Sequence, residues 1–113
     1  MFGFGKKTSA IDITATALDR RLKADEGLFL VDVREPWEFS QGHIAGSKLI
    51  PLGQLSGQMA RLPKDKTLVA VCRTGNRSSV ATSILQRAGY EVLNLKGGVV
   101  DWARAGLPLS GQR

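Results

Sequence analysis

The chain has 113 residues, enough for one compact domain and too few for two. Its single cysteine cannot form an internal disulfide, and no cysteine and histidine cluster has zinc-site spacing, so no metal is expected. The net charge of +6 favours anionic partners, but the arginines are scattered, so no nucleic-acid partner is expected. No apolar run is long enough to cross a bilayer, and the N-terminus lacks a secretory pattern, which predicts a cytoplasmic protein without an integral membrane segment.

Short apolar runs alternate with helical patterns along the chain. Five runs are predicted to be strands, at 10–13, 28–33, 47–52, 67–72 and 91–95. Helices are predicted after Thr14 or Thr16, at 35–39, weakly at 53–62 around Gly57, at 78–88 and at 97–106. This alternation predicts an α/β fold with a mainly parallel central sheet of about five strands and helices on both faces. One domain is expected over 10–110, after a flexible tail at 1–9.

The lone cysteine lies in VAVCRTGNRSSVA, residues 69–81, where Cys72 is predicted to end a buried strand. Ligands of parallel sheets bind at the carboxyl ends of the strands, so this turn is a candidate site. The loop of 74–77 is predicted to curve around Cys72 and to point its backbone amides inward as an anion-binding nest, with a helix N-terminus behind it. Gly75 and Asn76 accept positive φ most easily, and a tight concave loop needs such residues.

These surroundings predict that Cys72 is a nucleophile. A thiol near arginines and a helix N-terminus ionises below its ordinary pKa, and Arg73 and Arg77 can contact an anion. The alternative interpretation is a buried cysteine that acts as a small hydrophobic residue. The nucleophile hypothesis therefore requires a solvent-accessible Cys72 that titrates below an ordinary thiol.

Three segments of the sequence resemble the single-domain rhodaneses, a family of sulfurtransferases. Residues 32–47 read DVREPWEFSQGHIAGS, residues 72–78 read CRTGNRS, and residues 97–108 read GGVVDWARAGLP, in the family's order and spacing. The resemblance implies a rhodanese-like three-layer fold. It also implies that a persulfide on Cys72 carries sulfane sulfur from an anionic donor, such as thiosulfate, a persulfide or a polysulfide. The implied acceptor is cyanide or a thiol, on a small molecule or a protein, and no cofactor is implied.

The resemblance assigns roles to the residues of the loop and of the first segment. Cys72 would be catalytic, and the substrate would be bound by Arg73, Thr74, Gly75, Asn76, Arg77 and Ser78. Ser78 and Ser79 are also candidate helix caps, and Ser78 can donate to a bound anion. Structural support is expected from Asp32 and Arg34 as an ion pair, and from His43, which would tie the 35–46 segment to one of them.

Two pairs of residues outside the loop also have predicted positions. Trp37 and Trp102 are predicted to lie in the core. Gly97 and Gly98 are predicted to form a strand-to-helix turn that leaves room beside the loop.

Two other functions stay open. A related cysteine phosphatase would share the fold, but such enzymes hold phosphate with C-x5-R, whereas Cys72 and Arg77 form C-x4-R and Val71 replaces a preceding histidine. The shorter ring of amides is expected to fit a sulfur atom and to exclude a phosphoryl group. The other alternative is a persulfide-carrying relay module that acts only with a protein partner, because such a carrier has the same sequence features.

Overall fold

Five strands and five α-helices alternate along residues 11–111, the part of the chain that the computed structural model describes. The strands are β1 (Asp12–Ile13), β2 (Phe29–Asp32), β3 (Lys48–Leu49), β4 (Leu68–Val71) and β5 (Val92–Leu95). The helices are α1 (Ala15–Lys23), α2 (Pro36–Ser40), α3 (Leu55–Gln58), α4 (Asn76–Arg87) and α5 (Gly98–Arg104). Short 3-10 turns at Leu52–Gln54 and Met59–Arg61 flank α3. The tail predicted at 1–9 lies outside the described residues.

The strands form one parallel sheet in the order β1-β5-β4-β2-β3. The central strand β4 pairs with β2 and β5, and all four of its residues are buried. Strands covered on both faces read as continuous apolar runs, which is why the pattern of 67–72 predicted this strand correctly. In the pairing of β1 with β5, Asp12 lies opposite Asn94. The predicted mainly parallel sheet is confirmed.

Two hydrophobic clusters cover the two faces of the sheet. On one face, Leu55 of α3 and Leu85 of α4 pack against buried residues of β2 and β4. On the other, Leu18 of α1 and Trp102 of α5 pack against β4 and β5. The predicted three-layer α/β architecture is therefore confirmed. Trp102 is in the core as expected, but the prediction for Trp37 is wrong, because 64% of Trp37 is exposed.

Several boundaries differ from the sequence patterns. The Thr14 side chain caps α1 by accepting from the Ala17 amide at 3.2 Å. The pattern at 47–52 yields only the strand Lys48–Leu49, although the Ile50 and Leu52 amides on either side of Pro51 still donate to the carbonyls of Asp32 and Val33. The weak helix at 53–62 is broken into α3 and its flanking 3-10 turns. Among residues 11–111, no helix has both the length and the apolar character to cross a membrane.

Candidate active site

The lone cysteine lies at the carboxyl edge of the sheet, on its central strand. Cys72 directly follows β4, and α4 begins at Asn76, so only residues 73–75 form the loop between them. Gly75 precedes α4 with φ +104°, a left-handed conformation that favours glycine. The expected positive φ at Asn76 is wrong, because the residue is already helical. The helix begins two residues earlier than predicted and takes Asn76 and Arg77 out of the loop.

Backbone amides around Sγ favour the ionised form of Cys72. The Gly75 amide donates to Sγ at 3.1 Å, whereas the protonated Cys72 thiol donates to the Ser78 hydroxyl oxygen at 3.3 Å. Burial opposes ionisation of the Cys72 thiol, but the Ser78 hydroxyl, once it turns to donate to the thiolate, and the amides of Ser78, Gly75 and Thr74 outweigh it and lower the pKa of Cys72 below its ordinary value. The direction agrees with the sequence-based expectation.

The expectation that Cys72 is accessible to solvent is not met in this conformation. Only 1% of Cys72 is exposed, and the residue belongs to the hydrophobic cluster on the α3 and α4 face. The Gly75 amide and Ser78 cover Sγ, and α5 packs behind the backbone of the loop. The neighbouring Arg73 and Thr74 are exposed, so the covering loop itself faces solvent.

The start of α5 holds the backbone of the cysteine loop. The Val99 amide donates to the Cys72 carbonyl at 2.9 Å, and the Val100 amide donates to the Arg73 carbonyl at 3.1 Å. A Cβ on Gly98 would lie 2.4 Å from both carbonyl oxygens. Gly97 and Gly98 thus form the predicted strand-to-helix turn, and the missing side chain at Gly98 is what lets the loop approach α5.

Arg77 forms an ion pair with Glu38, a residue that was not predicted from the sequence to belong to the site. Its Nη1 and Nη2 donate to Oε1 and Oε2 of Glu38 at 2.7 and 2.8 Å, a two-bond ion pair that joins α4 to α2. Glu38 is buried and also accepts from the Glu35 amide at 2.9 Å. The expected role of Arg77 as a free contact for an anionic donor therefore needs correction, since Glu38 neutralises its charge. Arg73 is the exposed arginine of the loop.

The ion pair makes the stability of the protein depend on pH. The hydrogen bonds from Arg77 outweigh burial and, with the Glu35 amide and the charges of Arg77 and Arg34, lower the pKa of Glu38 from 4.5 to about 2. A lowered carboxyl pKa stabilises the fold above the unfolded value, and this stabilisation is lost as the pH falls from 4.5 towards about 2.

We therefore expect Glu38→Gln, which removes the charged partner of Arg77, to lower the free energy of unfolding by about 1–2 kcal/mol near pH 7. The loss is modest because solvent screens the partly exposed Arg77. The difference from the unchanged protein should shrink at about pH 3, as urea unfolding at both pH values can measure. Asp65→Asn, which removes an exposed carboxylate before β4, is the matched control. A Glu38→Gln deficit that is the same at both pH values would contradict this assignment.

Asp32 and Arg34 form the expected ion pair after β2. Both residues are buried, and Arg34 donates to both carboxylate oxygens of Asp32, with Nη2 to Oδ2 at 2.8 Å. The same guanidinium donates to the carbonyl of Gly42 at 2.9 Å, which ties the end of β2 to the segment after α2.

His43 does not bind Asp32 or Arg34, so the partner predicted for it is wrong. Its Nδ1 lies 3.0 Å from the Phe39 carbonyl, and its ring stacks on the Phe39 ring with centroids 3.7 Å apart. Its backbone pairs with Ser110. His43 therefore holds α2 and the C-terminal segment together by contacts other than the expected ones.

Ser78 also has a different position from the one predicted. It lies inside α4, whose cap is Gly75 without a side-chain hydrogen bond, so neither Ser78 nor Ser79 caps the helix. Ser78 is fully buried, and its hydroxyl donates to Oδ1 of Asn94 at 2.5 Å, which leaves no contact for a bound anion. Asn94 in turn donates to Asp12 at 3.2 Å. A polar residue within the apolar strand β5 was the sequence signal that could have selected Asn94.

An open cleft of about 230 Å³ lies beside the loop, between α2 and α5. Its lining combines charged side chains with the exposed indole of Trp37 and the apolar start of α5: Arg34, Trp37, Glu38, Gln41, Arg73, Val99, Val100 and Ala103. Because Glu38 and Arg34 are already paired, Arg73 is the cation of this lining left to contact an anion. Cys72 itself is not part of the lining.

Comparison with known proteins identifies the family. The model of the rhodanese-like domain matches residues 14–105. The chain belongs to the rhodanese-like domain family. This rhodanese-like domain is 41% identical over 99 residues to a sulfurtransferase of Allochromatium vinosum, with 87% of this chain and 92% of that protein covered. It is 37% identical over 91 residues to the putative sulfurtransferase YtwF of Bacillus subtilis, with coverages of 80% and 88%.

The solved structures agree with this assignment. The crystal structure of a rhodanese-related protein from Thermoplasma volcanium is similar with a TM-score of 0.83 at 33% identity, and the match covers 89% of this chain and 98% of that one. The resemblance drawn from the three sequence segments is thus confirmed for family and fold. Sulfur transfer is the general activity that the rhodanese-like domain and its sulfurtransferase relatives support.

Proposed function

We propose that this rhodanese-like domain is a sulfurtransferase that moves a sulfane sulfur from thiosulfate, or from a related anionic persulfide or polysulfide, to a thiol or cyanide acceptor through a persulfide on Cys72. The observation that carries the proposal is the hydrogen bond from the Gly75 amide to Sγ at the start of α4, where the surrounding donors lower the pKa of Cys72 and favour a thiolate. A thiolate, not a thiol, is the sulfur nucleophile.

The proposed reaction has two displacement steps. The Cys72 thiolate attacks the outer sulfur of thiosulfate, a new S–S bond forms, and the S–S bond of thiosulfate breaks as sulfite leaves with the electron pair. An acceptor thiolate or cyanide then attacks the outer sulfur of the persulfide, and Cys72 departs as a thiolate. No proton has to be moved once Cys72 is ionised, and His43, bound to Phe39, is not required as a base. No cofactor enters either step of the proposal.

The loop of residues 73–75 would control access to the sulfur. Because only 1% of Cys72 is exposed and the Gly75 amide covers Sγ, the donor reaches Sγ only if the backbone of this loop moves. Arg73 would attract the anionic donor to the loop, and the amide of Gly75 would stabilise the negative outer sulfur of the persulfide. In this proposal Arg77 and Glu38 hold the start of α4 in place and do not bind the substrate directly.

The contacts of Arg77 also argue against a phosphatase. A phosphatase arginine has to offer its guanidinium to phosphate, whereas both Nη atoms of Arg77 donate to Glu38. The C-x4-R spacing is a second argument, because it makes the loop one residue shorter than a phosphate-binding loop requires. A cytoplasmic location is part of the proposal, since a lone cysteine that must remain reduced suits a reducing compartment.

Release of sulfite from thiosulfate tests the proposal. We expect the purified protein with cyanide as acceptor to release sulfite over many turnovers without any protein partner. Sulfite release that needs an added acceptor protein would instead favour the relay module. Cys72-dependent hydrolysis of p-nitrophenyl phosphate in place of sulfite release would overturn the proposal in favour of a phosphatase.

A further inference from the structure

A chain of hydrogen-bonded side chains runs from Cys72 to the edge of the sheet. Sγ of Cys72 lies 3.3 Å from Oγ of Ser78, this hydroxyl donates to Oδ1 of Asn94 at 2.5 Å, and Nδ2 of Asn94 donates to Oδ1 of Asp12 at 3.2 Å. Ser78 and Asn94 are buried, whereas Asp12 is exposed on β1. The parallel pairing of β1 with β5 sets Asp12 opposite Asn94 and so fixes this contact.

The chemistry of the groups determines where the protons lie. A carboxylate only accepts, so Asp12 requires the Nδ2 side of the Asn94 amide and turns Oδ1 towards Ser78. This oxygen also only accepts, so the single hydroxyl proton of Ser78 points at Asn94. Oγ of Ser78 therefore presents a lone pair to Cys72, and the protonated thiol donates to it.

The thiolate needs the opposite arrangement. When Cys72 loses its proton to water, Sγ can only accept, and the Ser78 hydroxyl has to turn from Asn94 to Sγ. The buried Oδ1 of Asn94 then has no donor unless the amide also turns over, and Asp12 opposes that rotation. The same hydroxyl proton therefore serves either Asn94 or the thiolate.

We propose that Asn94, oriented by Asp12, is a positioning residue that competes with Cys72 for the Ser78 hydroxyl. The pair restrains ionisation of the free cysteine. The Asn94–Asp12 pair does not destabilise the persulfide, because the inner sulfur of a persulfide carries no proton and no charge. The Ser78 hydroxyl can then continue to donate to Asn94. Asn94 thus favours the sulfur-loaded form over the free thiolate.

Other charged groups lie near this series of hydrogen bonds, and a test must leave their charges unchanged. They are the Glu38–Arg77 pair on α2 and α4, the Asp32–Arg34 pair after β2, Arg73 in the loop and Asp101 on α5. None of them contributes a hydrogen bond to Ser78 or Asn94. Substitution at Asp12 leaves all of them in place.

Two variants of Asp12 separate the hydrogen bond from the charge. Asp12→Ala and Asp12→Asn both remove one negative charge, but only the asparagine retains an oxygen that accepts from Nδ2 of Asn94. We expect titration of the thiolate by ultraviolet absorbance, in the full chain without any sulfur donor, to give Asp12→Ala a Cys72 pKa about one unit below that of Asp12→Asn, a tenfold change in the ionisation constant. A general loosening of the site would raise this pKa towards its ordinary value. Equal values in the two variants, or a higher value for Asp12→Ala, would overturn the inference.

Substitutions nearer the sulfur provide a second test. Asn94→Leu removes the competitor and should lower the pKa of Cys72, Ser78→Ala removes the donor and should raise it, and Asn94→Leu should have no further effect in the Ser78→Ala background. An effect of Asn94→Leu that persists without the hydroxyl would refute the coupling. The inference rests on the proposed function only for the nucleophilic role of Cys72. Failure to release sulfite would refute that function, whereas the titration would still decide the inference.

Discussion

Cys72→Ser is expected to lower the rate of sulfite release from thiosulfate at least about a thousandfold, the loss typical of removing a covalent nucleophile. A serine hydroxyl is not ionised at neutral pH, and the hydrogen bonds that favour a thiolate do not supply enough energy to ionise it. Serine is close to cysteine in shape and can hydrogen-bond to Ser78 and Gly75, so the fold should persist. Steady-state assays with cyanide as acceptor measure the loss.

The matched control is unfolding of the same variant in urea. We expect its midpoint to lie close to that of the unchanged protein, which would assign the loss of rate to chemistry rather than to folding. Cys72 is the only cysteine of the chain, so no other thiol can substitute for it. Retention of a tenth or more of the rate by Cys72→Ser would rule out the covalent mechanism.

Gly98→Ala is expected to destabilise the protein by about 2–4 kcal/mol and to reduce sulfur transfer strongly. The new Cβ would lie 2.4 Å from the carbonyl oxygens of Cys72 and Arg73, both of them backbone atoms, and φ at this position is +58°. Relief of the clash has to move either α5 or the loop. Such a shift would disturb the Val99 and Val100 amide bonds that hold the loop. Urea unfolding and sulfite release measure the two effects.

Gly57→Ala is the control for the loss of a glycine. It lies in α3 with no atom near the position of an added Cβ and with an ordinary φ, so alanine there should stabilise the protein by up to about 1 kcal/mol. If the free energy of unfolding of Gly98→Ala lies within about 0.5 kcal/mol of that of the unchanged protein, the close approach of the loop and α5 does not determine the position of Cys72.

The sequence predicted the architecture because the central strands are covered on both faces. Leu68–Val71 is apolar throughout and its neighbouring strands are apolar except at Asp32 and Asn94, a pattern that is visible in one chain without any partner. The strand at 47–52 was predicted to stop at Pro51, and the strand that the structure shows, Lys48–Leu49, ends just before it. Trp37 was assigned to the core by residue type, whereas α2 turns it outwards.

The position of Cys72 could be predicted, but its hydrogen-bond partners could not. Strand β4, Gly75 and helix α4 are neighbours in sequence, so local sequence patterns are enough to predict them. Glu38 is 39 residues from Arg77, and Asp12 is 82 residues from Asn94, so only the folded sheet brings each pair together. The burial of Cys72 is also a product of packing, because α5 reaches the loop from the end of the chain.

In this mechanism, hydrogen bonds at the end of β4 keep the sulfur of Cys72 nucleophilic enough to accept a second sulfur. Intact-protein mass spectrometry after incubation with thiosulfate detects that sulfur. We expect a gain of about 32 Da that maps to the peptide containing Cys72, is reversed by cyanide, and is absent from Cys72→Ser. An unchanged mass in the wild-type protein, or the same gain in Cys72→Ser, would contradict it.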